Sequence, residues 1–121
     1  MLKILNDSFA NLLVLDKLIE KIKIKRIFYI IAKKKVIRGN HAHKKCTQAF
    51  FSVKGSIRIE YINTKNKKRR IIIKPGKKLL IIKPLNWVKL YLNKGDICGV
   101  LCDRVYEKND YIRNLEEFKK Y

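Results

Sequence analysis

The sequence predicts an all-β chain, folded as a sandwich or a jelly-roll barrel and finished by a short C-terminal helix or turn. Three observations carry that expectation. Short runs rich in β-branched residues recur at short intervals. Turn signals separate them, at Lys54-Gly55, Asn63-Thr64-Lys65-Asn66, Pro75-Gly76 and Asn93-Lys94-Gly95-Asp96. Finally, 121 residues with 47% apolar side chains suffice for one packed domain, spanning 1–121, with no linker and no internal repeat.

Taken in order, the candidate strands are 12–15, 23–32, 35–43, 47–53, 56–62, 69–74, 79–82, 88–92 and 97–102. Residues 16–21 can form a helical turn after the first of them. Residues 110–121 read as a short helix or turn, with Asp110 or Asn114 as its N-cap. Ile71-Ile72-Ile73 and Leu79-Leu80-Ile81-Ile82 are apolar without alternation, so both of their faces should be covered. A second subunit is the simplest cover for an outer face, which predicts a homodimer.

Composition narrows the functional classes. The net charge of +20 invites a nucleic-acid or anionic-membrane partner. Yet lysines outnumber arginines, run along the whole chain and keep company with isoleucine and asparagine, as A/T-rich coding would produce. The densest run, Lys65 to Arg70, sits at a hairpin tip. The expectation is therefore no nucleic acid and no membrane, but a preference for an anionic small molecule. Cys46, Cys98 and Cys102 are odd in number and lack framework spacing, which points to free thiols in a reducing cytoplasm. The N-terminus shows no apolar stretch of signal-peptide length.

His41 and His43 are the chain's two histidines. Two residues apart on a strand, they project from one face. Groups that gain and lose protons near neutrality, aimed together, suit metal binding or proton transfer. The spacing around them follows the cupin pattern, with Gln48 where a carboxylate ligand would stand and Gly55 after it. A second cupin frame runs Pro84, Lys89, Asn93, with lysine in the histidine slot. Two histidines, an amide and a lysine make a poor divalent-metal site. Proton transfer is the better reading, with no metal and no cofactor expected.

Further residues resemble a known group. Tyr29 precedes Arg38-Gly39-Asn40-His41-Ala42-His43-Lys44-Lys45, and then come Gln48, Val53-Lys54-Gly55-Ser56, Pro84-Leu85-Asn86-Trp87 and the stretch from Tyr106 to Phe118 with Asp110-Tyr111-Ile112-Arg113. These are similar to the WxcM-like cupins, the TDP-4-keto-6-deoxyglucose 3,4-ketoisomerases. Asp7 to Asn11 departs from the acidic-Arg-Gly turn of many relatives, and Val88 stands where many have histidine. The resemblance implies a cupin jelly roll and a metal-independent isomerase that moves a ketone from C4 to C3 of a TDP-linked 4-keto-6-deoxyhexose, in deoxysugar and surface-glycan biosynthesis. A cupin-type epimerase and a non-catalytic basic binding module are the alternatives.

Such a reaction needs a base at the C3 proton and a shuttle for the oxygen proton. His41 and His43 are expected to divide these tasks, in either order. Arg38 is a candidate for the pyrophosphate or the enediolate oxygen. Gly39 is expected to let the strand bulge, so that Arg38 joins the histidines despite its odd spacing. Tyr29 and Gln48 are candidates for sugar hydroxyls, and Trp87 for a wall of the pocket. Tyr106, Asp110 and Arg113 are expected to pin the C-terminus.

Overall fold

The computed structural model describes residues 2–6, 11–15, 22–77 and 79–121. Their strands are β1 (Leu2–Asn6), β2 (Asn11–Leu15), β3 (Arg26–Ile31), β4 (Val36–His43), β5 (Gln48–Lys54), β6 (Ile57–Asn63), β7 (Lys68–Ile73), β8 (Leu80–Ile82), β9 (Asn86–Leu92), β10 (Ile97–Cys102) and β11 (Tyr111–Ile112). Among the described residues a short 3-10 helix (Lys108–Asp110) precedes β11, and one α-helix, α1 (Leu115–Phe118), follows it. β1 and β11 are additions to the strands expected from sequence. The expected turn at 16–21 lies outside the described residues.

β1 and β2 form an antiparallel hairpin. The other strands build two sheets, β3-β10-β5-β8 and β11-β4-β9-β6-β7, every pairing antiparallel. Strands close in sequence repeatedly cross from one sheet to the other, the jelly-roll arrangement. The alternation along each strand turns one face into the space between the sheets. There Phe50, Ile57, Ile59, Ile73, Val88, Leu90, Leu92, Cys98 and Val100 are buried, with Phe28, Ile30 and Val36 packed against them.

The outer faces are covered by the chain itself in two places. Over the first sheet, Ile22 and Ile24 pack with Ala49, Phe51, Leu79, Ile81 and Leu101. The outward half of the apolar 79–82 run is therefore covered within one subunit, and Ile72 is the exposed member of the 71–73 run. Over the second sheet, Phe118 of α1 packs with Ala42, Trp87 and Ile112. Asn114, one of the two predicted caps, starts that helix by accepting a hydrogen bond from Glu117 N at 3.1 Å.

One irregularity positions the site. In β4, Gly39 pairs with Lys89 and His41 with Val88, so Asn40 is an extra residue. Gly39 has φ +91° and Asn40 φ +55°, a bulge in the left-handed region. A Cβ on residue 39 would lie 2.6 Å from Val88 O, so glycine alone fits there. Inserting one residue reverses the side-chain alternation beyond it. Arg38, opposite Leu90, and His41, opposite Val88, consequently share the inward face.

Candidate active site

A cavity of about 580 Å³ opens between the sheets. Its wall includes Phe28, Val36, Arg38, Gly39, His41, Gln48, Phe50, Tyr111 and Arg113. The floor is aliphatic, from Val88 and Leu90, while Lys33, Lys34, Arg38 and Arg113 make its border cationic.

His41 is the imidazole on that wall. Its Nδ1 lies 3.0 Å from Gly39 O. A carbonyl only accepts, so Nδ1 carries the hydrogen and Nε2 keeps a bare lone pair. Burial, then the neighbouring His43, Arg113 and Arg38, push His41 down to about 4, against the weaker raising effect of its bond to Gly39. It is neutral at pH 7, as the basic surroundings predict, although burial is the larger cause.

His43 is placed differently. It is 5% exposed and lies off the cavity wall, because Tyr111, its cross-strand partner on β11, packs against it at a tilt of 55° with ring centroids 4.3 Å apart. Nδ1 of His43 donates to Asp110 Oδ2 at 2.8 Å. Asp110 also accepts from Lys45 N at 2.7 Å and Cys46 N at 3.3 Å. Burial would raise Asp110, but these hydrogen bonds outweigh it and hold the carboxyl below its ordinary range. Burial pushes His43 down more strongly than Asp110 pulls it up. The pair is therefore a neutral imidazole donating to a carboxylate. Nε2 of His43 is buried without a hydrogen-bond partner among the described residues.

Behind Tyr111 lies a polar knot. Arg26 Nη2 donates to Tyr111 Oη at 3.1 Å and to Cys102 Sγ at 3.6 Å. Gln48 Nε2 also reaches Cys102 Sγ, at 3.4 Å. The hydrogen bond from Cys46, with those from Gln48 and Arg26, brings Cys102 down to about 6 against burial, while the Cys46 thiol is pushed up. His43, Cys46 and Asp110 bring potential metal-ligand atoms within 4.8 Å of one another. Both Asp110 oxygens and His43 Nδ1 are already committed to the hydrogen bonds just described, so this cluster acts as an internal brace.

The sequence reading needs correction at several residues. Tyr29 borders the cavity as part of β3, but its ring packs edge-on against Phe51 with centroids 6.4 Å apart and is half exposed. Strand alternation gives the inward positions to Phe28 and Ile30, so the Tyr29 ring faces outward. Trp87 is not a cavity wall. It packs with Phe118 beneath α1, ring centroids 5.8 Å apart, on the far side of the sheet. Lys89 follows Trp87 by two residues and shares that outer face, so Val88 holds the inward slot of the second cupin frame. Arg113, expected only to pin the C-terminus, lines the cavity directly, while Asp110 ties the C-terminal segment to His43, Lys45 and Cys46 behind it. Tyr111 and Arg26 had no role assigned from sequence. Their signals were the Asp-Tyr-Ile-Arg stretch and the arginine that opens β3.

The model of the family described as FdtA, WxcM-like, C-terminal, matches residues 1–121. The chain belongs to this family. Over 100 residues it is 34% identical to the TDP-4-oxo-6-deoxy-alpha-D-glucose-3,4-oxoisomerase of Aneurinibacillus thermoaerophilus, covering 81% of this chain and 71% of that one. Among solved structures, WlaRA, a TDP-fucose-3,4-ketoisomerase from Campylobacter jejuni, is 31% identical with a TM-score of 0.82, covering 98% of this chain and 89% of its own. QdtA, a 3,4-ketoisomerase of Thermoanaerobacterium thermosaccharolyticum solved in complex with TDP, is 29% identical with a TM-score of 0.86, covering 98% and 88%. A histidine-to-asparagine mutant of QdtA holds TDP-4-keto-6-deoxyglucose. The cupin-like β fold expected for the WxcM-like family is thus the fold this chain adopts. Its members of known activity named here are isomerases, and no described helix of this chain is long and apolar enough to cross a membrane.

Proposed function

We propose that the protein is a TDP-4-keto-6-deoxyglucose 3,4-ketoisomerase, moving the ketone from C4 to C3 through an enediolate. One observation carries the reading. His41 presents an unprotonated Nε2 toward a cation-rimmed cavity in a chain related to TDP-sugar ketoisomerases. His41 is the base that removes the C3 proton and returns a proton at C4. Arg38 and Arg113, at the cavity border, meet the diphosphate or the charge that develops on the enediolate oxygens. Gln48 offers its amide to a sugar hydroxyl without adding charge. His43, braced by Asp110, fixes the Tyr111 and His41 rings instead of meeting the sugar directly.

The enzyme acts as a cytoplasmic homodimer in this reading. Ile27, Tyr29 and Ile31 form an exposed apolar row on the edge strand β3, beside the cavity, and support a subunit contact there.

The test is incubation with TDP-4-keto-6-deoxyglucose in D2O, followed by NMR of the sugar. The expected result is a ketone at C3, with deuterium at C4 in proportion to the exchange of the His41 imidazolium with solvent. A ketone that remains at C4 removes the proposal, and label at C5 makes the protein an epimerase.

A further inference from the structure

Ketone migration requires a proton to travel between two neighbouring oxygens while a carbon proton is moved. His41 has one free nitrogen, and that nitrogen is occupied with carbon. His43 is covered by Tyr111 and tied to Asp110. Tyr111 itself lines the cavity. Its ring is 5.0 Å from that of His41, centroid to centroid, so a sugar ring against one imidazole face lies within reach of the phenol. Two guanidiniums attend it. Arg26 donates to its hydroxyl oxygen, and Arg113 stands 4.3 Å over its ring. Because Arg26 has no acceptor atom, the phenol must receive that bond with a lone pair, and its own hydrogen is free to point elsewhere.

We infer that the Tyr111 hydroxyl carries the oxygen proton of the reaction, with Arg26 as the positioning residue that holds it. The inference rests on the ketoisomerase reading. In the first step His41 Nε2 takes the C3 proton. The C–H electrons form the C3–C4 double bond, and the C4 oxygen takes the proton of Tyr111. The developing enediolate is thereby captured as a neutral enediol, beside an imidazolium and a phenolate. In the second step the phenolate takes the proton of the C3 hydroxyl, C3 becomes the ketone, and C4 takes the proton from His41. Both side chains end as they began, and no other reactant is consumed. Arg26 stabilises the phenolate while it exists, by a donor already aligned at 3.1 Å. The guanidinium stands over the Phe28 and Tyr106 rings at 5.1 and 5.6 Å, its Nε has no hydrogen-bond partner among the described residues, and its side-chain hydrogen bonds go to Tyr111 and Cys102.

Tyr111→Phe separates the hydroxyl from the ring. The ring alone maintains the packing on His41 and His43, so a purely structural role predicts wild-type turnover. A proton-carrying role predicts a fall in kcat of about 10²–10⁴-fold with KM unchanged. Wild-type kcat in the folded variant overturns the inference. A second pair keeps the question open to refutation if that variant is unstable. Arg26→Met should lower kcat at constant KM, and Arg26→Lys, which restores a donor, should recover part of the loss. Equal rates for the two, or no loss in Arg26→Met, overturn it. The wild-type protein is assayed alongside; a ketone left at C4 there refutes the ketoisomerase reading and, with it, this role for Tyr111.

Discussion

Arg38 and His41 face the same cavity although they are three positions apart on one strand. The extra residue Asn40 makes this possible, and Gly39 makes Asn40 possible. Gly39→Ala is expected to destabilise the protein by about 1–3 kcal/mol, because a Cβ would be forced against Val88 O in a left-handed conformation. Urea unfolding measures the loss. Deleting Asn40 is the companion change: it removes the bulge but leaves Arg38 and His41 two positions apart on the same face, so the shared inward face and turnover should survive better than in Gly39→Ala.

His41→Asn should retain the fold and lose at least about 10²-fold in kcat, the usual minimum contribution of a placed general base. Asparagine keeps a polar head near Gly39 O but has no basic nitrogen. Circular dichroism checks the fold, and exchange of the C3 hydrogen into D2O reads the base. Continued exchange at the wild-type rate would remove His41 from this role.

The acid limb of kcat/KM should lie far below that of an ordinary histidine. His41 is held at about 4, so the free enzyme loses its base only as pH falls through that value, rather than near 6.5. Arg38→Gln removes one of the positive charges that press it down, and should move the limb upward. Stability has the same sign. Between about 6.5 and about 4 the unfolded chain binds a proton that folded His41 refuses, so stability falls as pH falls across that window. His41→Asn should flatten that part of the stability profile.

Asp110→Ala should cost roughly 3 kcal/mol or more, since three buried or half-buried donors lose their acceptor at once. Asp110→Asn should be milder, retaining one acceptor oxygen. Thermal unfolding of the two variants, compared with each other, measures the brace separately from the chemistry.

Trp87 provides a contrasting case. Trp87→Phe should leave KM for the sugar nucleotide unchanged, because the ring packs under Phe118 and not in the cavity. Trp87→Ala should destabilise by about 3–5 kcal/mol. A selective rise in KM for either variant would place the indole back in the site.

Much of the barrel is visible in the sequence, since strands such as 97–102 announce themselves by β-branched content between turn residues. The bulge was legible too, because Arg38-Gly39 beside two histidines makes sense only if the alternation slips. What escaped is instructive. β11 has two residues, too few for any periodicity, and it pairs with a strand far away in sequence. Tyr111 and Asp110 therefore carry no local sign of their place beside His43, across 67 positions. Tyr29 and Trp87 differ from expectation for the opposite reason. Each is a conspicuous aromatic whose phase is set by strand pairing: the Tyr29 ring faces outward at the cavity border, and Trp87 packs beneath α1.

The residues that complete the site, Asp110, Tyr111 and Arg113, are synthesised after β3 to β10 have all been made. A nascent chain paused before them would possess the strands of the barrel and His41, yet His43 would lack its brace and the cavity one wall. The complete site thus arrives late in translation, as a seal applied to a vessel already shaped.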